Sequence, residues 1–481
     1  MNVLRYMMNN KYKQLMFLAA LFFSCFGFSQ IELKNKIVDF GTLLPVESAS
    51  VYVQNTTIGT ISNVDGKFAL IVPQEHENDT LVVSSIGYKS FKTLVSEFDD
   101  GMEIYLEEDI ATLDEVLLVA DPRPTTGNDI VLKALEKLAV NMPDSAYLQK
   151  GFLRHKERNK VEFKWLIESA ITVYDSGYAV SSEDYLKVNV DQVRKSYDLR
   201  DVDSIFSYVS YKNRNAYTPR LRAKDIKRSS VTTNQLVKSI KWNDNRVNGL
   251  HNLFQGKLNL LRNSKNPKAL FGENILEHHQ FKLDTILVDN ERKIYKINIS
   301  DSKEFVGLDT KGIYNEGFEA KGWLYIYYDN YAIKKIEYEL VAASDVQKTR
   351  SKRLFDTQIN HKLIMTYMEY EGKMYPNYVY YETPKLVNVG LKSSGKVSKE
   401  EEERYNKEQR YYYTVQEILF SEIILDKEQI QEKLNSKWDA DIFSSKPYNK
   451  EFWKNYNVLL ESEEDEKLIQ DLTKRATLFK D

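Results

Sequence analysis

Hydrophobic positions follow three different patterns along the chain. Leu15–Phe28 is an almost continuous apolar run, broken only by Ser24, Cys25 and Gly27 and preceded by Arg5, Lys11 and Lys13. It has the length of a secretory h-region and falls short of the ~20 residues a spanning helix needs. Small residues at Gly27 and Ser29 suit a cut before Gln30. Residues 1–29 are therefore expected to be a removed signal peptide. Lipidation at Cys25 fits poorly, because the bulky Phe22 and Phe23 stand just before Ser24-Cys25.

From residue 31 to 107 the pattern changes to short β-prone runs with turn signals between them. Ala49–Val53, Thr57–Ile61, Lys67–Val72, Leu81–Tyr88 and Met102–Leu106 read as strands, and Asn63-Val64-Asp65-Gly66 as a turn. About seven strands in so short a stretch predict a small β-sandwich. A linker rich in Pro, Gly and Thr follows at residues 119–128. Asn128 or Asp129 should then cap a helix whose stripe is Ile130, Val131, Ala134, Leu135, Leu138 and Ala139, ending near Asn141 before Pro143.

Period-two alternation returns beyond this helix. Phe281–Val288 and Lys293–Ser300 flank Asp289-Asn290-Glu291; Trp323–Tyr327 and Ile333–Leu340 flank Tyr328–Tyr331; Leu363–Tyr370 and Tyr375–Tyr381 flank Glu371-Gly372-Lys373. Tyr411–Ile424 adds a last strand. Ile336, Tyr338 and Leu340 alternate with Lys335, Glu337 and Glu339, so the two faces should differ in chemistry. Successive hairpins make an antiparallel meander. Asp201–Ser264 is mixed, with no clean period. The fold class expected is mainly β: a small N-terminal β-sandwich plus a larger antiparallel β-meander, half-barrel-like, with flanking helices. The segments are 1–29 signal peptide, 30–108 sandwich, 109–127 linker, 128–425 β-rich domain and 426–481 charged helical tail.

Charge and cysteine content sharpen this picture. The 67 Lys+Arg against 70 Asp+Glu exclude a strongly basic nucleic-acid binder. Loss of residues 1–29 removes three cations and no acids, so the balance becomes 64 against 70, or −6. It also removes the single cysteine, leaving no disulfide, thiolate nucleophile or Cys-ligated metal.

The residues of the first domain carry a resemblance. Ile37-Val38-Asp39, Pro45–Val53, Gly59–Phe68 and Ser84-Ser85-Ile86-Gly87-Tyr88 resemble the carboxypeptidase-regulatory-like domain, a transthyretin-like sandwich common at the front of secreted and outer-membrane proteins of Bacteroidetes-type bacteria. Leu113–Leu118 resembles the segment that follows this module in TonB-dependent receptors, although no plug and barrel follow here. Residues 128–425 resemble a poorly characterised β-rich region of flavobacterial envelope proteins, through Gly151–Arg154, Glu168-Ser169-Ala170 with Tyr174–Tyr178, and Gly322–Ile326 with Ala332-Ile333. The meander is similar, at the level of fold only, to half-barrels that carry lipoproteins in the periplasm.

A search for catalytic motifs returns nothing complete. None of His76, His155, His251, His278, His279 or His361 has a Glu three residues later, so the zinc-peptidase pattern is missing. In carboxypeptidases the resembled module is an accessory, so the resemblance implies no peptidase activity. Glu277-His278-His279 with Asp284 is the densest ligand cluster, but neighbours on a strand point apart, so a satisfied polar loop is the expectation. No nucleophile elbow, phosphate-binding loop or dinucleotide fingerprint occurs. No catalytic, cofactor-binding or metal residue is assigned, no cofactor is expected, and the ligand-binding residues stay unknown.

Tyrosine is the conspicuous residue type, with 32 of them. Tyr325, Tyr327, Tyr328 and Tyr331, Tyr378, Tyr380 and Tyr381, and Tyr411, Tyr412 and Tyr413 cluster on strands. Cross-strand packing is the first expectation; a platform for glycan or peptide and a barrel girdle are the alternatives. Lys212–Lys227 and Glu400–Glu403 read as solvated loops. The expected function is a non-enzymatic secreted or cell-envelope protein, periplasmic or attached to the outer membrane, that binds or scaffolds. Its partner classes are an envelope protein, a glycan or a lipid, with no nucleic acid and no transmembrane helix in the mature chain. An envelope enzyme acting on glycan or peptide through carboxylates, and a lipid or lipoprotein carrier with a half-barrel cavity, are the alternatives.

Overall fold

A computed structural model describes residues 30–109, 123–158, 163–178, 185–197, 205–215, 220–222, 225–258, 261, 275–300, 317–386 and 411–475. The expected signal peptide, the receptor-like segment Leu113–Leu118 and the acidic loop at Glu400–Glu403 lie outside these residues.

The N-terminal part is built of seven strands: β1 Gln30–Asp39, β2 Ser50–Val53, β3 Gly59–Ile61, β4 Lys67–Pro73, β5 Thr80–Ser84, β6 Phe91–Leu94 and β7 Ile104–Leu106. They form two sheets, ordered β4-β1-β7 and β3-β2-β5-β6. Alternation decides what each strand buries. Phe68, Leu70 and Val72 of β4 point inward, where they meet Ile37 of β1, Val51 and Val53 of β2, and Leu81 and Val83 of β5. Strand β6, with both of its first two residues exposed, had no alternation by which the sequence could reveal it.

The larger part is one ten-stranded antiparallel sheet, ordered β10-β9-β8-β17-β16-β15-β14-β13-β12-β11. Its strands are β8 Tyr147–Arg158, β9 Phe163–Asp175, β10 Leu186–Tyr197, β11 Gln280–Asp289, β12 Arg292–Ser300, β13 Phe318–Tyr327, β14 Ile333–Ala342, β15 Ile359–Tyr370, β16 Lys373–Leu386 and β17 Tyr411–Ile424. Two hairpin ladders, β8–β10 and β11–β17, are zipped together where β17 pairs with β8. The sheet does not close, and β10 and β11 are its edges. A membrane-barrel girdle therefore does not explain the tyrosines.

Helices line the concave face. They are α1 Gly127–Asn141, α2 Ile205–Lys212, α3 Thr233–Asn248 and α4 Leu250–Asn252, which runs into a π-turn at Leu253–Lys257. Short α5 Ile275–His278 and α6 Asp345–Phe355 complete this set. Thr126, not Asn128 or Asp129, caps α1: its side chain accepts from the Asp129 backbone N–H at 3.1 Å. The Asn128 side chain accepts instead from the Phe281 N–H at 2.8 Å, fixing the helix to β11. The α1 stripe joins Ile240, Leu250, Leu253 and Phe254 and the inward residues of β8–β17 in one large core. Most of the half-barrel's hollow is thus filled by the chain itself.

The last segment carries α7 Lys427–Asn435, α8 Lys450–Lys454 and α9 Glu463–Arg475. It is not a solvated tail. Trp453 and Leu459 pack on Phe152, Ala170, Tyr378 and Leu419 on the convex face, together with Ile61 of the sandwich. Leu468 and Leu472 of α9 pack on Phe163 and Leu166 of β9. Among the described residues, no helix is long and apolar enough to cross a membrane.

Gly322 marks a close approach within the sheet. It has φ +140°, and a Cβ there would sit 2.0 Å from the Glu337 carbonyl oxygen on β14. Gly322→Ala is expected to cost about 2 kcal/mol or more, since it combines an unfavourable backbone region with a main-chain clash. Urea unfolding followed by circular dichroism checks this through a lowered midpoint.

Candidate functional site

Two features stand outside the ordinary core: a buried row of charges on the convex face, and an open cleft between the sandwich and the sheet.

The row follows from register. Arg194 on β10 pairs with Glu168 on β9, Glu168 with Arg154 on β8, Arg154 with Glu417 on β17, and Glu417 with Tyr380 on β16. One line across four strands therefore reads plus, minus, plus, minus. Arg194 Nε lies 2.6 Å from Glu168 and Arg154 lies 3.0 Å from it. The Arg154 and Glu168 side chains are only 3% and 4% exposed. One position along β8, Lys156 contacts Glu417 at 3.1 Å, Glu461 at 3.1 Å and Asp465 at 2.7 Å. Glu461 and Asp465 come from the C-terminal segment. Glu461 also reaches Arg154 at 2.8 Å, and the Leu459 carbonyl accepts from Arg154 Nη2 at 2.6 Å.

These groups hold shifted pKa values for opposing reasons. Burial alone would lower the pKa of Lys156, but the charges of Glu417, Glu461 and Asp465 raise it above the ordinary lysine range. Burial likewise works against the charge on Glu417, yet Lys156 and Arg154 hold it below the usual carboxylate range. Asp465 is burdened in the same way and lowered by Lys156 and Arg158. For Glu461 burial prevails, helped by repulsion from Glu417 and Asp465, and its pKa is raised.

The same segment reaches the sandwich. Asn63 Nδ2 donates to the Glu461 carbonyl at 2.8 Å. The Asn457 side chain accepts from the Ile71 N–H at 2.7 Å and donates to its carbonyl at 3.1 Å. Asp65 accepts from the Glu463 N–H at 2.8 Å. The network ties three parts of the chain together.

The second joint is the β11–β12 hairpin. Asn290 and Glu291 have φ 49° and 69°, the doubly left-handed conformation of a tight two-residue hairpin turn. Its tip docks on the sandwich. The Gly87 N–H donates to the Val288 carbonyl at 2.7 Å, Asn290 Nδ2 donates to the Tyr52 hydroxyl at 3.3 Å, and Ser90 Oγ donates to Asn290 Oδ1 at 3.2 Å.

Between these joints lies a cleft of about 510 Å³. The sandwich contributes Tyr52, Gln54, Asn55, Thr57 and Thr60; the sheet contributes Asp289, Arg292, Tyr327, Lys334, Glu369, Tyr370 and Asn377. Tyr327 donates to Asp289 at 2.6 Å, and Lys334 stands 3.7 Å from the same carboxylate. Arg292 contacts Asp329 at 2.8 Å and Glu369 at 2.7 Å, with its guanidinium 3.8 Å from the Tyr327 ring centre. Burial, and then the charge of Asp289, push the Tyr52 phenol up to about 12. Burial and Asp289 raise the Tyr327 phenol in the same way, so both phenols stay protonated.

A smaller cavity of about 80 Å³ remains under the sheet, lined by Met142, Val173, Leu186, Phe254, Leu258, Met365, Val379 and Phe420, with Gln149 and Asp175 beside them.

Glu277, His278 and His279 were expected in a polar loop. Ile275–His278 is a helical turn, not a loop, and His279 is buried with its ring nitrogens 3.1 Å from the Ile275 carbonyl and 3.1 Å from the Tyr338 hydroxyl. His361 sits 2.9 Å from the Tyr381 hydroxyl in the same core. Among the described residues no group of three or more His, Cys, Asp and Glu is arranged to hold a metal. Strand tyrosines divide between roles: Tyr338, Tyr367 and Tyr381 are core, Tyr52 and Tyr370 line the cleft, and Tyr327 belongs to the core and reaches the cleft as well.

Residues 21–118 match the model of the CarboxypepD_reg-like domain, which identifies the N-terminal sandwich as a domain of that class. The chain is also 38% identical over 105 residues to the TonB-dependent receptor SusC of Bacteroides thetaiotaomicron. That stretch is 22% of this chain and 10% of the receptor, so the chain spans about a tenth of the length of the curated relative it matches. Two solved structures are similar to part of the chain: a LolA superfamily protein from Nitrosomonas europaea, at 11% identity and TM-score 0.21, covering 65% of this chain and 99% of that one; and a DUF1329 family protein from Desulfovibrio piger, at 8% identity and TM-score 0.26, covering 63% and 93%. At these TM-scores the superpositions do not bear on function.

Glu168→Gln removes the carboxylate that Arg154 and Arg194 share and is expected to destabilise the protein by about 3 kcal/mol, the cost of breaking a buried ion pair from one side; urea denaturation measures it. Acid should loosen the same region. The lowered pKa values of Glu417 and Asp465 contribute stability above the ordinary carboxyl value of about 4, and this is lost as pH falls through their lowered folded values. Glu461 has the opposite sign: its raised pKa favours the folded state as pH falls, and offsets part of the loss. Hydrogen exchange across residues 455–470 is expected to accelerate below about pH 4 before exchange in β12–β15 does.

Proposed function

We propose that this is a binding protein of the cell envelope whose ligand occupies the cleft between the CarboxypepD_reg-like domain and the ten-stranded sheet. The observation that carries the reading is the cleft's size and composition. Ligand sites typically measure about 300–1,000 Å³ and offer a few convergent polar groups. The interdomain cleft, at about 510 Å³, lies within that range. Its walls come from two parts of the chain that the hairpin tip and the C-terminal segment hold together, so it is open before any ligand arrives. Export to the envelope is supported by the expected signal peptide and by the class of the N-terminal domain.

A second reading, a carrier of lipid or another apolar ligand, is favoured by the apolar cavity under the sheet. Its volume of about 80 Å³ falls well below the range, because α3, α4 and the π-turn occupy the hollow. The cleft therefore leads.

Thermal shifts separate the two readings. Purified residues 30–481 are titrated with the water-soluble fraction and the lipid fraction of an envelope extract. A ligand at a hundredfold excess over Kd should stabilise by about 2.7 kcal/mol. The expected result is a rise in Tm with the water-soluble fraction that Gln54→Trp, at the cleft mouth, removes and Leu186→Phe, in the apolar cavity, does not. A rise with the lipid fraction alone, removed by Leu186→Phe, would establish the carrier instead.

A further inference from the structure

We infer that the cleft takes an uncharged, polyhydroxylated ligand of about disaccharide size, a neutral saccharide unit; this rests on the cleft being the binding site. Both cations in the cleft have partners within the protein: Arg292 contacts Asp329 and Glu369, and Lys334 stands beside Asp289. Asp289 in turn accepts from Tyr327. An anionic ligand would have to be desolvated against cations that are already matched, and would gain little for that cost; the further carboxylate at the cleft, Glu371, is exposed and stays in water. An uncharged ligand meets no such penalty.

The remaining chemistry suits hydroxyls. Gln54, Asn55 and Asn377 present amides, and Thr57 and Thr60 present hydroxyls, so donors and acceptors stand together around the rim. Tyr52 and Tyr370 add half-buried rings to the same space. A sugar ring has an apolar C–H face and a rim of hydroxyls, and tyrosine has an apolar face and a polar tip, so the two match in both parts. At about 510 Å³ the space has room for one or two sugar rings.

A peptide fits the same walls less well. Peptide capture uses an open strand edge, an apolar groove or an unpaired charge cluster. Of the strands that line the cleft, only β3 and β11 have an open edge; β3 has three residues and β11 reaches the cleft through Asp289 at its end alone, and the cations are matched.

The test is an array of neutral di- to tetrasaccharides of hexoses and N-acetylhexosamines, beside sulfated and uronic-acid counterparts and short peptides, followed by calorimetry on the hits with residues 30–481. The expected result is binding to at least one neutral saccharide, weakened tenfold or more by Tyr52→Ala and by Asn377→Ala, and less by Tyr52→Phe, which keeps the ring. If Tyr52→Ala does not fold, Gln54→Trp replaces it as the blocking variant. Binding confined to charged saccharides or to peptides, and sensitive to these variants, would overturn the neutral class while the cleft stands as the site. Saccharide binding indifferent to every cleft variant, or no saccharide or peptide binding together with an extract-induced thermal shift that Gln54→Trp leaves intact, would overturn both.

Discussion

The structure depends on a buried electrostatic row. Arg194, Glu168, Arg154 and Glu417 alternate in sign across four neighbouring strands, and Lys156 with Glu461 and Asp465 extends the row into the C-terminal segment. Left open to water, such a line would be worth little per pair. Buried, it is a constraint: each charge requires its partner, and the partners come from distant parts of the sequence. Without the C-terminal segment, Arg154 and Lys156 would lose Glu461 and Asp465, and Phe152, Tyr378 and Leu419 would lose the cover of Trp453 and Leu459. Charge and apolar surface thus call for the same lid.

That lid also fixes the sandwich. Asn63, Asp65 and Ile71 bind the segment through backbone and amide hydrogen bonds, while the β11–β12 tip holds the sandwich from the other side at Gly87, Ser90 and Tyr52. Two joints hold the walls of the cleft together. The cleft is consequently a property of the assembly and of neither domain alone. Its chemistry is set by matched cations and by amides, hydroxyls and tyrosine rings, which makes it a surface for hydrogen bonding and stacking.

Much of the fold was legible because alternation reports burial on one face of a strand. The hairpins at residues 281–300, 323–340 and 363–381 and the strand at 411–424 appear as expected, since their apolar residues recur every second position and turn residues such as Asn290 and Gly372 take up positive φ. Strand β6 and the helices of residues 205–257 were not legible: the first has no buried alternation, and the second pack on a sheet that supplies most of their stability. The convex face shows where alternation stops being informative. Polar residues on alternate positions suggest solvent, but Arg154, Lys156, Glu168 and Glu417 face the C-terminal segment. Glu168 could have drawn attention through its neighbours, yet nothing local marks it as the partner of Arg194, 26 positions on.

By itself the sequence determined what depends on near neighbours. That includes the strand periods, the turns, the α1 stripe, and the resemblance carried by residues 37–88 that the CarboxypepD_reg-like match to residues 21–118 supports. Only the tertiary structure decided what depends on pairing between distant segments. It set the strand order that aligns the ion row, turned a charged tail into a lid, filled the half-barrel with its own helices, and opened a cleft where Tyr52 meets Tyr327 and Asp289. The physical reason is that periodicity is local, whereas register and the burial of charge are settled only when strands far apart in the chain come into contact.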